Sequence, residues 1–226
     1  MFQIYRTSKG SSRLAYIEMN TVSRIKLSSI HRNGDIPDLF HDGSRIIAYE
    51  VENPGLRSRS LVVLREVSGT LLRLADFPFA ELKDLDGDGK PELISRARPL
   101  GQFFALECRE FRTMAAAAFQ TRIYYFSKGK FERDARRFSD YISARISENE
   151  RAISAQDPRS VIRYGDYLSR TLSVYFDLDE IGRGREGWKK FTSGFPVKEN
   201  DPAPVRKCMK EMESKLRDEL KIPSDW

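Results

Sequence analysis

Apolar and polar residues alternate in short runs along the first part of the chain and recur with a helical period along the last part. Before Arg133, apolar runs such as the one at residues 61–64 are followed by polar turns that contain glycine. Runs of this kind predict β-hairpins. After Arg133, apolar residues recur every three or four positions, which predicts amphipathic helices. The pattern therefore predicts an α+β fold, with antiparallel β structure over residues 1–133 and a helical region over 134–226 that packs on it.

Three of the predicted hairpins are regularly spaced. Their turn glycines are Gly10, Gly69 and Gly129, which are 59 and 60 residues apart, and the first and third turns share Ser-Lys-Gly. A constant period of this length predicts structural repeats. We therefore expect the hairpins around Gly69 and Gly129 to occupy equivalent positions in two copies of one β unit.

Three helices are predicted in the helical region. The first covers about residues 134–153. The second begins at Asp157 and ends near Gly182, and the third begins at Asp201. Proline follows both of these aspartates, and an Asp cap with Pro in the first turn is typical of a helix start.

Three other stretches are less regular. The sequence of residues 103–108 predicts a strand. The alanine run in Met114–Phe119 favours a helix, but small residues also allow close sheet packing, and we predict a buried strand there. Asp177–Glu180 is acidic but lacks turn glycines, so we interpret it as the end of a helix and not as a second metal loop.

One acidic loop has the spacing of a cation site. Gly89 follows three alternating aspartates and allows a sharp turn, so that oxygen atoms at alternate positions converge. Hard oxygen ligands in such an arrangement suit calcium. The predicted ligands are the carboxylates of Asp84, Asp86, Asp88 and Glu92 and the backbone carbonyl of Lys90. Ser95 stands where an EF-hand has its bidentate Glu, and Pro78 interrupts any entering helix. The sequence therefore predicts a strand-flanked calcium loop at 84–92.

A shortened copy of this loop precedes the second hairpin. Asn33–Phe40 keeps Gly-Asp, Pro, an acid and Leu but has lost one residue, and His31 replaces the first aspartate. We expect this copy to bind metal weakly or not at all, with His31 as a loop residue.

The motif Asp-x-Asp-Gly-Asp-Gly-x-Pro-Glu-Leu-Ile at 84–94, with glycine hairpins about every 60 residues, resembles FG-GAP and VCBS repeats. The resemblance covers roughly residues 1–133. It implies blades like those of integrin-alpha-type β-propellers, a calcium ion in the loop, and a protein exported by a bacterium. Two blades and a leading hairpin are too few to close a propeller, so the resemblance implies incomplete, open β repeats.

The composition limits the chemistry. There are 39 Lys and Arg against 33 Asp and Glu, a net charge of +6 that weakly favours acidic partners. His31 and His41 are the only histidines, which disfavours His-based catalysis and transition-metal sites. The sequence has no run of 18 apolar residues. The N-terminus does not read as a signal peptide, so we expect either an intracellular protein or a leader that was removed.

Two features of the sequence each have two possible interpretations. Cys108 and Cys208 lack zinc-site spacing and form either a disulfide, if the protein is exported, or two buried thiols. The stretch 183–191 combines four basic residues with Trp188 and Phe191. It is either a polyanion contact or, as we favour, a solvated turn with Trp188 anchored in the core.

These observations favour a calcium-binding, non-catalytic binding or structural protein, because no nucleophile, phosphate-loop or metalloprotease motif is present. By the resemblance it would be secreted or periplasmic, with a protein or polysaccharide partner. The alternative is an intracellular protein that binds nucleic acid or another polyanion through the basic helical half.

Overall fold

The computed structural model describes twelve stretches of the chain, and the statements below refer to them. They are residues 2–6, 12–18, 21–22, 24–27, 38, 40–43, 45–53, 58–67, 70–101, 115–155, 164–194 and 203–226. The chain divides into two compact units. Unit 1 contains Met1–Arg96 and Arg122–Asp134, and unit 2 contains Ala97–Thr121 and Ala135–Trp226. Residues 97–121 therefore group with the helices.

The described strands form three sheets in which the strands follow chain order. The strands are β1 (Phe2–Arg6), β2 (Ser12–Glu18), β3 (Thr21–Val22), β4 (Arg24–Leu27), β5 (Arg45–Asn53), β6 (Ser58–Val67), β7 (Thr70–Pro78), β8 (Ala80–Lys83), β9 (Glu92–Ala97), β10 (Gln120–Ser127) and β11 (Lys130–Arg133). The sheets are β1-β2-β3, β4-β5-β6-β7 and β8-β9-β10-β11. Among the described strands no sheet closes into a barrel or a propeller. The predicted α+β class, with antiparallel β structure before the helices, is confirmed.

The three predicted hairpins are present as antiparallel pairs, β1–β2, β6–β7 and β10–β11. In the third hairpin, Ser127 pairs with Lys130, so two residues make the turn. Lys128 and Gly129 have φ values of 48° and 78°. Positive φ at both central positions is typical of a type I′ turn, whose twist matches that of the strands. Gly10 and Gly69 lie outside the described residues, so the equivalence of the turns stays a prediction.

The core of unit 1 joins the two four-stranded sheets. Buried side chains from β5, β6, β8 and β9 form one apolar cluster with Phe40. The ring of Phe40 stacks on Phe126 of β10 with centroids 4.3 Å apart, and Phe131 of β11 meets Phe126 edge-on at 5.2 Å. Offset and edge-to-face aromatic pairs of this kind add about 0.5–1.5 kcal/mol beyond the burial of area. Apolar side chains from both sheets therefore stabilise unit 1 together.

Unit 2 is built on four described helices. They are α1 (Ser139–Ser154), α2 (Tyr164–Glu180), α3 (Gly184–Gly194) and α4 (Ala203–Glu219). Helix α2 is buried without interruption from Thr171 to Leu178. It ends in a Schellman motif, in which the N–H of Arg183 donates to Leu178 O at 2.7 Å and the N–H of Gly182 donates to Asp179 O at 2.9 Å. Gly182 has a φ of 83°, which glycine adopts without strain.

Two expectations about secondary structure are wrong. Ala115 and Ala116, within the predicted buried strand, are helical. The stretch interpreted as a solvated turn is helix α3, although Trp188 is anchored in the core, as expected, with 1% of its surface exposed. The acidic stretch Asp177–Glu180 does end a helix. Residues 103–108 lie outside the described residues. No helix in the described part of the chain is both long and apolar enough to cross a membrane.

Candidate metal centre

The acidic loop connects two adjacent antiparallel strands of unit 1. Lys83, the last residue of β8, pairs with Glu92, the first residue of β9. Residues 84–91 therefore bulge out from the end of a β-hairpin, and no helix enters or leaves them. The predicted strand-flanked loop, different from an EF-hand, is confirmed.

Two glycines allow the loop to turn. Gly87 has a φ of 76° and Gly89 a φ of 83°, in the left-handed region that costs other L-residues about 1–2 kcal/mol. These two left-handed glycines alternate in the sequence with Asp86 and Asp88. As a result the aspartate side chains converge on one side of the loop.

The three aspartates are close enough to share one cation. One carboxylate oxygen from each of Asp84, Asp86 and Asp88 lies within 4.8 Å of the others, and all three residues are exposed. Oxygen ligands bind calcium at about 2.3–2.6 Å, so two ligands of one ion lie at most about 5 Å apart. The three carboxylates could therefore hold one metal ion and, without one, would repel each other.

Backbone N–H groups of the loop hold the carboxylates in place. Both oxygens of Asp84 accept hydrogen bonds, from Gly87 N at 2.7 Å and from Gly89 N at 3.0 Å. Asp88 accepts one from Lys90 N at 2.8 Å. Each carboxylate oxygen has a second lone pair, so these bonds fix orientation and still permit metal ligation.

Glu92 stands apart from the aspartate cluster, because its carboxylate is not among those that converge. Glu92 is 3% exposed, and its Oε2 accepts a hydrogen bond from Leu85 N at 2.8 Å. Lys90 is exposed. The structure thus brings together the three predicted aspartate ligands and places Glu92 at the base of the loop.

A second turn beside the loop was not recognised from the sequence. Asp38 accepts hydrogen bonds from the N–H groups of Asp42 at 3.0 Å and Gly43 at 2.7 Å. His41, which lies between Asp38 and Asp42 in the chain, has a φ of 52°. A methyl group added to Gly89 would lie 3.7 Å from His41 Cε1, so the imidazole borders the metal loop. His31 and residues 33–37 of the shortened loop copy lie outside the described residues.

The aromatic side chains of the basic stretch 183–191 are buried, and two of its basic side chains are paired with carboxylates. Trp188 and Phe191 are each 1% exposed, so their rings are not available for stacking on a ligand. Arg183 makes two hydrogen bonds of 2.8 Å to Glu186, and Lys190 pairs with Glu150. Of the interpretation that we favoured, the anchoring of Trp188 in the core is therefore found, whereas the solvated turn is helix α3.

Cys208 is disulfide-bonded. It lies on α4, partly buried against the apolar core of unit 2. Cys108 is the only other cysteine in the sequence and lies outside the described residues. The two alternatives for the cysteines were a disulfide and two buried thiols, and the bonded state of Cys208 agrees with the disulfide.

Comparisons of this chain with protein-family models, with curated proteins and with solved structures found no match.

Proposed function

We propose that the loop at residues 84–92 binds one calcium ion and that this ion stabilises a non-catalytic binding or structural protein. The observation that carries the proposal is the convergence of three carboxylates within 4.8 Å on a hairpin loop with two left-handed glycines. Asp84, Asp86 and Asp88 supply the charge. The Lys90 carbonyl and Glu92 complete the proposed ligand set, Glu92 through a water molecule, as position 9 of an EF-hand loop often does.

The organisation of the β region supports the same proposal. Both four-stranded sheets consist of consecutive strands, and in each the last two strands form an antiparallel pair separated by two residues in sequence. The acidic loop joins the first two strands of one sheet, β8 and β9, and the shortened copy falls in sequence between the first two strands of the other, β4 and β5. This arrangement is what two repeats of an FG-GAP or VCBS type would have.

We further propose that the protein is exported by a bacterium and that its partner is a protein or a polysaccharide. The bonded Cys208 supports this location, because disulfides persist in oxidising compartments. Calcium is millimolar outside cells, where sites of modest affinity are filled.

Calorimetry tests the calcium proposal directly. Calcium should raise the melting temperature relative to chelator, because it binds the folded loop and not the unfolded chain. Asp86→Ala should abolish the increase. Glu81→Ala, which removes an exposed acid from the neighbouring strand, should retain it. Identical melting curves with calcium and with chelator, together with no heat of binding in titration, would show that the loop is not a calcium site.

A further inference from the structure

A cavity lies in unit 2 where the C-terminal ends of α1 and α3 border α2. Its volume is about 290 Å³, and all three helices contribute to its lining. The α2 residues Tyr167, Thr171 and Val174 are 8%, 5% and 2% exposed. Ile153 of α1 is partly buried against the same apolar core. The base of the cavity therefore consists of core side chains.

The hydroxyl groups that line the cavity already donate to backbone carbonyls. Tyr167 Oη donates to Gly194 O at 2.9 Å, and Thr171 Oγ1 donates to Tyr167 O at 2.8 Å. Ser154 and Ser193 donate to carbonyls of their own helices. The methyl group of Thr171 borders the wall, because a Cβ added to Gly194 would lie 3.7 Å from Thr171 Cγ2. The lining thus offers a ligand mainly aromatic and methyl surface.

The charges at the rim of the cavity are balanced. Lys190 of α3 pairs with Glu150 of α1, and both side chains line the cavity. The neighbouring pair on α3, Arg183 and Glu186, is joined at 2.7 Å. An anion beside Lys190 also meets Glu150, and a cation beside Glu150 also meets Lys190. Because attraction and repulsion then largely cancel, the rim favours neither sign of charge.

Polar contacts hold the walls of the cavity in place. The bond from Tyr167 to Gly194 joins α2 to α3, and the pair of Lys190 with Glu150 joins α3 to α1. One turn beyond Val174, Asp177 of α2 accepts a hydrogen bond from the N–H of Thr121 at 2.7 Å. A ligand that enters a preformed cavity does not have to order these helices, which lowers the cost of binding.

We propose that this cavity binds a small uncharged molecule with a mainly apolar body, about the size of a benzene ring with a short substituent. A dry apolar cavity of about 150 Å³ binds benzene, and ligand pockets begin at about 300 Å³. At about 290 Å³ the cavity of unit 2 lies close to the lower limit for ligand pockets. The site is separate from the acidic loop, which belongs to unit 1.

Three probes that share one ring and differ in charge test the proposal. They are benzyl alcohol, benzoate and benzylammonium, added at pH 7 in the presence of chelator to protein with labelled Ile and Val methyl groups. Benzyl alcohol should shift the NMR signals of Ile153 and Val174 saturably, with a dissociation constant in the millimolar range. The two ions should bind at least about tenfold more weakly, because their charges would lose water without an unshared partner.

Two substitutions at Val174 provide a matched pair. Val174→Phe places a ring in the cavity and should abolish the saturable shift of Ile153, whereas Val174→Ala enlarges the cavity and should retain it. Nuclear Overhauser effects between the probe's ring and the methyl groups of Ile153 and Val174 in the unmodified protein give an answer that needs no variant to fold. The proposal would be overturned by no saturable shift at these methyl groups, by equal affinity for the three probes, or by undiminished binding to folded Val174→Phe.

Discussion

The buried carboxylate of Glu92 accepts a hydrogen bond from the backbone N–H of Leu85, seven residues earlier in the chain. Glu92 begins β9, and Leu85 is the second residue of the acidic loop. This bond closes the base of the loop. It gives Glu92 a structural role that does not depend on metal.

Substitutions at Glu92 should separate its structural role from ligation. Glu92→Gln keeps an acceptor for Leu85 N, so the fold should persist while the calcium affinity falls. Glu92→Ala leaves the part-buried N–H of Leu85 without this acceptor and should lower the free energy of unfolding by about 1–3 kcal/mol. Denaturant titration with and without calcium measures both effects. If both variants lost the same stability in the presence of chelator, the hydrogen bond to Leu85 N would not be what stabilises the metal-free loop.

The backbone of the loop should depend on glycine at position 89. Gly89→Ala places a Cβ on a residue with a φ of 83° and should lower the stability of the metal-free protein by about 1–2 kcal/mol. Lys90→Ala is the matched control, because the side chain is exposed and the proposed ligand is the backbone carbonyl. It should change neither stability nor calcium affinity. A loss of calcium binding in Lys90→Ala would count against ligation by the backbone.

Helices α2 and α3 pack closely at Gly187, so a side chain there should destabilise the protein. A Cβ there would lie 3.1 Å from Tyr175 Cα and 3.1 Å from Leu178 Cβ, so these neighbours would have to move by a few tenths of an ångström. Gly187→Ala should cost about 1–3 kcal/mol in the free energy of unfolding. At Gly194 the nearest atom is 3.6 Å away, which is an ordinary contact. Gly194→Ala should therefore be close to neutral, and equal effects of the two substitutions in denaturant titration would contradict the close packing.

The disulfide of Cys208 should contribute to stability. With Cys108 as partner, the closed loop of 100 residues gives an upper estimate of about 4.7 kcal/mol from chain entropy. A reducing agent should therefore lower the melting temperature of the protein but not that of Cys208→Ser. Titration of the denatured, unreduced protein should find no reactive thiol, and two reactive thiols would exclude the bond.

Features defined by local spacing could be predicted from the sequence. The hairpins and the loop at 84–92 depend on residues within about ten positions, and turn glycines mark them directly. The end of α2 was recognised for the same reason, because Gly182 follows the last apolar positions. The identity of the cation and the partner depends on chemistry that these short patterns do not contain.

Features that depend on distant contacts could not be predicted. Asp177 and Thr121 are 56 residues apart, and nothing near Asp177 distinguishes it from a solvated acid at a helix end. Helix α3 lies between Gly184 and Gly194, which suggest turns. Such a short helix owes its stability to tertiary packing, here the burial of Trp188 and Phe191.

The strand order also has a consequence for the kinetics of folding. Strands β6 and β7 are separated by two residues, so their pairing requires only the closure of a short loop. Strands β9 and β10 are neighbours in their sheet although residues 98–119 separate them in the chain. Contacts between residues distant in sequence form more slowly, because more chain entropy is lost before they are made. The β4–β7 sheet should therefore assemble first and offer its apolar face to the later-forming strands of β8–β11.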